Sequence, residues 1–227
     1  MKIRHLHVWD VSSQGAIQIQ KELRSRLDLT ELPSPIRRVA GADVSFSRKS
    51  GRIWAGVVVL SFPELSRIEE KWVQDKVSFP YIPGLLSFRE LPVLLKALKR
   101  LKTVPELIIC DGQGIAHPRG LGLASHLGLL VDMATIGCAK SRLVGEFSEV
   151  EEQKGSSAPL WYKEQVVGAV VRTRRGVKPL FISPGNRITL DESVKIVLAC
   201  CGKYRMPEPT RQAHLLVSGL RRLQEVS

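Results

Sequence analysis

Residues 53–62 read Ile-Trp-Ala-Gly-Val-Val-Val-Leu-Ser-Phe and carry no charge. A short run this rich in β-branched residues predicts a strand. A second strand-like run, 38–46, precedes it across a basic turn that contains Gly51. Two such runs joined by a Gly-containing turn predict a hairpin. Residues 68–77 predict a third, more polar strand. The hydrophobic period then changes. Leu91, Leu94, Leu95, Leu98 and Leu101 recur at helical spacing, with Lys96, Lys99, Arg100 and Lys102 opposite. Pro105 ends that helix, and 107–110 predict a short apolar strand stopping at Asp111. A Gly-rich stretch, 112–122, leads into a helix at 121–131 and a buried strand at 135–139. Residues 153–159 read as a polar surface loop, 166–171 and 180–183 as strands, and 191–201 and 210–223 as closing helices. At the other end, 15–29 predict an amphipathic helix, broken by Pro33 and Pro35. Antiparallel strands followed by alternating helix and strand predict an α/β fold, a mixed sheet flanked by helices. No repeat and no long linker divides the chain, so residues 1–227 are expected to form one domain.

Charge narrows the partners. The 227 residues carry 34 Lys and Arg against 22 Asp and Glu, a formal net charge of +12. Such an excess favours a polyanion, nucleic acid first and an anionic membrane second. An apolar share of 44% and a charged share of 25% exclude wholesale disorder, a collagen and a disulfide miniprotein. No run of eighteen apolar residues exists, so no membrane-spanning segment is expected. Residues 1–10 lack the apolar core of a signal peptide. Cys110, Cys138, Cys200 and Cys201 form no CxxC pair and read as buried thiols of a reducing, cytoplasmic compartment. His5 and His7 alternate like strand neighbours and read as structural or tail residues, not zinc ligands.

Three acids stand in unusual places. Asp43 interrupts the first strand, Asp111 ends a buried strand before a Gly-rich loop, and Glu90 lies at the start of the helix between them. Ligands gather at the carboxyl ends of strands in α/β sheets. Two neighbouring carboxylates need a proton or a cation to coexist, and hard oxygen ligands select Mg²⁺ or Mn²⁺. Each acid also has a plainer reading. Asp43 fits an edge or turn, Asp111-Gly112 is a common turn dipeptide, and Ser87 with Glu90 has capping-box spacing. The joint order of strand Asp, helix Glu and strand Asp is that of ribonuclease-H-like nucleases.

Longer motifs sharpen this. They are Gly41-Ala-Asp-Val-Ser-Phe46, Phe79-Pro-Tyr-Ile-Pro-Gly84, Phe88-Arg-Glu90, Cys110-Asp-Gly-Gln-Gly-Ile-Ala-His-Pro-Arg119, Gly137-Cys-Ala-Lys-Ser-Arg-Leu143 and Glu208-Pro-Thr-Arg-Gln-Ala-His214. In these residues the chain resembles the endonuclease V family, the deoxyinosine 3′ endonucleases, over about residues 15–220. The resemblance implies a ribonuclease-H-like fold and Mg²⁺-dependent nicking of the second phosphodiester bond 3′ to a deaminated adenine, leaving 3′-hydroxyl and 5′-phosphate ends. Mn²⁺ is expected to substitute. By the same resemblance, Asp43 and Asp111 match metal ligands and Glu90 the third acid. His214 matches a residue flanking the metal, and Lys140 an active-site lysine near the scissile phosphate. Tyr81 matches the wedge that fills the gap left by the extruded base. Asn186 stands where many members have His, and Cys138 where Val is usual.

A base must leave the duplex before all its edges can be read. Hypoxanthine differs from adenine by a C6 oxygen and an N1 hydrogen, so its pocket needs a donor and an acceptor. Main-chain groups around Gly112, Gly114 and Gly122 are candidates, since glycine admits close backbone approach. His117 is either a lining residue of that pocket or a capped loop histidine. The clusters Lys99-Arg100-Leu-Lys102 and Arg172-Thr-Arg174-Arg175 either track phosphates or form solvated faces. The expected partner is DNA containing deoxyinosine, with inosine-containing RNA as the alternative. A monomer without a membrane partner is expected. Rival readings are an inosine-specific endoribonuclease, another ribonuclease-H-like nuclease, a non-catalytic binding module and a peripheral membrane protein.

Overall fold

The computed structural model describes residues 1–32 and 35–226, with the side chain of Val226 excepted. Pro33, one of the two expected chain-breaking prolines, lies outside them. Helix α1 (Ser13–Arg24) opens the chain, capped by the Ser12 side chain. Strands β1 (Arg38–Phe46), β2 (Arg52–Ser61) and β3 (Arg67–Lys76) follow as an antiparallel meander. The turn between β1 and β2 closes through Gly51, whose positive φ of 65° is easily reached only without a side chain. Then come α2 (Leu86–Lys99), β4 (Leu107–Cys110), α3 (Leu123–Val131) and β5 (Ala134–Ala139). Strands β6 (Ser157–Tyr162), β7 (Gln165–Val171) and β8 (Leu180–Asn186) and helices α4 (Leu190–Ala199) and α5 (Glu208–Val226) complete it.

All strands join one eight-stranded sheet in the order β3-β2-β1-β4-β5-β8-β7-β6. The β1–β4 and β4–β5 pairs are parallel and the rest antiparallel. This is the expected mixed α/β sheet. The central strands are apolar on both faces because helices cover both. Ala40, Ala42, Ile108 and Cys110 pack with Leu91, Leu94 and Leu98 of α2 and Leu127 of α3. Val39, Leu107 and Ile109 pack with Val197 of α4 and Ala213 of α5 on the other face. Helix α5 presses hard on β1. A Cβ at Gly41 would stand 2.0 Å from the Pro209 carbonyl, so only glycine allows this approach. All four cysteines are buried and free, as expected. Among the described residues no helix is long and apolar enough to cross a membrane.

Several elements differ from the sequence reading. Helix α1 ends at Arg24, short of the expected end at 29. Part of the expected loop at 153–159 belongs to β6. Ala158 and Leu160 point inward there, while Ser157, Pro159 and Trp161 are exposed. That period-2 pattern is a strand signal, and an edge strand tolerates a proline that donates no hydrogen bond. Helix α2 begins at Leu86, before the leucine stripe, and carries Pro92 inside it. Glu90 therefore lies within the helix rather than at its start. Ser87 is already helical and caps nothing; its hydroxyl bonds to His126 instead. Residues 1–12 form no strand, so His5 and His7 are not strand neighbours. His7 is structural, bonded to the buried His126.

Candidate active site

The site begins with the register of two parallel strands. Ala42 of β1 pairs with Cys110 of β4, and the Asp111 N–H donates to the Ala42 carbonyl at 3.2 Å. The next residue on each chain is an acid. Side chains alternate along strands, so register places Asp43 and Asp111 on the same face. That face is covered by α5, which brings His214. One oxygen from each carboxylate and one ring nitrogen of His214 all lie within 4.8 Å of one another. His214 Nδ1 stands 2.8 Å from Asp43 Oδ2. Lys140, immediately after β5, pairs with Asp111. Glu90 comes from α2 on the opposite face and is not one of these three ligand atoms.

The charges in this cluster are not balanced by the protein alone. Burial raises the Glu90 carboxyl well above its usual range, and the negative charges of Asp43 and Asp111 raise it further. Burial and then Asp43 also raise Asp111, although Lys140 and His214 oppose this. Carboxyl groups held this way favour a proton or a cation. Two carboxylates, an imidazole and a nearby third acid are a donor set that fits a hard divalent cation.

His214 reports on the same field. Its hydrogen bond to Asp43 raises its pKa above 6.5 in spite of partial burial. In the cation-free protein, the pair's stabilisation is therefore fully present below pH 6.5 and is lost as pH rises through the higher folded-state value. An NMR titration in chelator should place the His214 midpoint above 6.5 and move it downward in Asp43→Asn. An unchanged midpoint in that variant would remove Asp43 as the cause.

Beside this cluster lies a cavity of about 120 Å³. Its lining includes Tyr81, Gly84, Ser87, Gln113, His117 and Gly122. Gln113 is two residues past Asp111, and Ser87 is about one helical turn before Glu90, so the cavity and the acids share their supporting segments. Tyr81 sits at 70% exposure between Pro80 and Ile82. The buried His117 donates from Nε2 to the Gly84 carbonyl at 2.9 Å and accepts at Nδ1 from the Arg119 N–H at 3.2 Å. Burial lowers its pKa to about 4, which keeps the ring neutral. It is thus both a lining residue and a bonded loop histidine.

Not every expected site residue lines the cavity. Gly112 and Gly114 do not. A Cβ on Gly114 would meet the Pro184 carbonyl oxygen at 2.1 Å, so this glycine serves the packing of the loop onto β8. Gly112 packs against the Leu123 side chain. Asn186 is 2% exposed and bonds the backbone of Asp28, Gly128 and Met133, which gives it a structural place. Arg172 donates to the carbonyls of Glu151, Val150 and Val177, so it is not free to follow phosphates. Conversely, the sequence assigns no pocket role to Gln20, Ser87 or Gln113, the other polar side chains of the cavity, and marks Ser87 only as a helix cap. Gln113 stands inside a recognised motif, whereas Gln20 carries no local signal.

Comparison with known proteins gives a consistent result. The family model described as Endonuclease V matches residues 21–215. An endonuclease V from Nostoc punctiforme is 53% identical over 220 residues, covering 96% of this chain and 99% of that one. The crystal structure of endonuclease V from Streptomyces avermitilis superposes with a TM-score of 0.90 at 42% identity, covering 100% of this chain and 99% of that one. Endonuclease V from Ciona intestinalis, in complex with a 23mer DNA containing an inosine followed by a ribo-adenosine, superposes with a TM-score of 0.83 at 29% identity. That match covers 96% of this chain and 100% of the other.

Proposed function

Because the chain belongs to the endonuclease V family, we propose that it is a DNA-repair endonuclease. It recognises hypoxanthine in DNA and nicks the second phosphodiester bond 3′ to the lesion, leaving 3′-hydroxyl and 5′-phosphate ends. The observation that carries this reading is the apposition of Asp43, Asp111 and His214 next to a cavity bordered by Tyr81. The inosine-containing DNA in the Ciona intestinalis complex supports the substrate class, and the +12 charge suits a polyanion.

Mg²⁺ is the proposed cation, with Mn²⁺ as substitute, held by Asp43 and Asp111 with Glu90 as the third acid. Such an ion, held there, would activate water and stabilise a leaving oxygen of the phosphodiester. His214 Nδ1 shares a proton with Asp43 Oδ2 beside that position. Lys140, which pairs with Asp111 just after β5, would offer its ammonium to the scissile phosphate. Tyr81 fills the stack when the base turns out, and the cavity lined by Gly122 and His117 receives it. The same reading takes residues 1–227 as one monomeric, cytoplasmic nuclease domain. Four buried, unpaired thiols suit a reducing compartment.

End-labelled duplexes carrying one deoxyinosine test the cleavage position. Product length should place the cut one nucleotide beyond the lesion's own 3′ phosphodiester, and DNA ligase should reseal the nick. A cut at any other bond, or ends that ligase rejects, would overturn the assignment. Parallel RNA strands with inosine decide between the two nucleic acids.

A further inference from the structure

Among the polar side chains of the cavity, Gln20, His117 and Ser87 have their hydrogens committed inside the protein. Gln20 Nε2 donates to the carbonyls of Gly84 and Leu121 at 3.0 and 3.1 Å. His117 Nε2 donates to Gly84. Gln113 Nε2 donates to the Ser141 carbonyl at 3.0 Å, which fixes the amide orientation and leaves Oε1 buried with no partner.

Ser87 is constrained through a longer chain. His7 Nδ1 stands 2.7 Å from the Val8 carbonyl, which can only accept, so Nδ1 carries the hydrogen. His7 Nε2 is then an acceptor, and His126 Nε2, at 2.7 Å, must donate to it. His126 is fully buried. Its Nδ1 is therefore a lone pair, and the Ser87 hydroxyl donates to it at 3.1 Å. Burial lowers the pKa of both histidines, His126 to about 3, which keeps both rings neutral as this chain requires. The Ser87 hydroxyl makes no second hydrogen bond among the described residues, so only its lone pairs remain for a ligand.

We propose that Ser87 determines specificity by presenting a fixed acceptor to the N1–H of the extruded hypoxanthine, with its polarity set by His126 and His7. This rests on reading the cavity as the base pocket. Gln113, another residue of the same lining, holds a buried Oε1 with no partner, an acceptor that a donor on a ligand would satisfy. Adenine would bring a lone pair at N1 against the lone pairs of Ser87. A site built around a hydrogen bond rejects the analogue that lacks it, because its buried groups are left unpaired.

The test uses the full chain in Ca²⁺, which suppresses cleavage, and duplexes carrying deoxyinosine, deoxyadenosine or deoxynebularine, a purine with a lone pair at N1. Ser87→Ala should weaken deoxyinosine binding roughly tenfold and deoxynebularine binding little. His7→Phe keeps a ring against Trp9 and Phe88 but removes the acceptor from His126. The His126 hydrogen then moves to Nδ1, and the Ser87 hydrogen turns to the cavity. That variant should raise deoxynebularine affinity relative to deoxyinosine by several-fold, a gain that damaged packing does not produce. Equal loss on both duplexes in Ser87→Ala, or an unchanged ratio in His7→Phe, would overturn the role of Ser87. A wild-type protein that binds deoxyinosine and deoxyadenosine duplexes alike would remove the base-pocket reading itself, and the Ser87 role with it.

Discussion

Asp111→Asn is expected to abolish nicking, with a loss of at least about 10³-fold, or ~4 kcal/mol at 1.36 kcal/mol per decade. Asp43→Asn should behave the same way. Each removes one of the two carboxylates that register places side by side. The change is nearly isosteric and leaves Lys140 an oxygen to bond. It also removes a negative charge, so attraction to phosphate should be equal or stronger. Stability separates a lost function from a lost fold. The Asp111 carboxyl is raised by burial and by Asp43, so its ionised form is disfavoured in the folded state. Above the unfolded pKa, neutralising it should therefore leave stability equal or greater. Nicking, duplex binding and thermal melting of the same preparation check all three points. Full activity in either variant would remove these acids from the site.

Tyr81→Ala should separate recognition from chemistry. The side chain is largely exposed and carries no carboxylate, so its removal should cost little stability and leave the acids in place. Base–aromatic stacking is worth ~1–3 kcal/mol, which corresponds to roughly 5–150-fold weaker binding of the lesion duplex. Undamaged duplex should lose far less, because no base is extruded and phosphate contacts dominate. Titrations of both proteins in Ca²⁺ on matched inosine and adenine duplexes measure the difference. An equal loss on both would make Tyr81 an ordinary contact.

The acids were legible because each disturbs a strong local pattern. Asp43 breaks an apolar strand, and Asp111 closes one. The strand bounds around them, Arg38–Phe46 and Leu107–Cys110, match the pattern to the residue. What remained hidden depends on pairing across distance. The bond from His7 to His126 joins residues 119 positions apart. No local pattern shows that Ser87 turns to a buried histidine rather than capping its own helix. Glycines posed a related problem. Gly114 and Gly122 look alike in sequence, yet Gly122 lines the cavity while Gly114 is pressed against Pro184. Close backbone packing and a ligand pocket both require a missing Cβ, so only the fold separates them. Strand β6 was missed because its Ser, Pro and Gln-Lys-Gly-Ser surroundings resemble a loop, while its inward residues number few.

The central claim is that a cation-holding acid cluster cuts DNA chosen by the neighbouring base cavity. Single-turnover nicking of matched deoxyinosine and deoxyadenosine duplexes, each with Mg²⁺ and with chelator, tests it most directly. Cleavage of the deoxyinosine strand only, and only with Mg²⁺, is the predicted result. Cleavage that survives chelation, or that proceeds equally on the deoxyadenosine duplex, would contradict it.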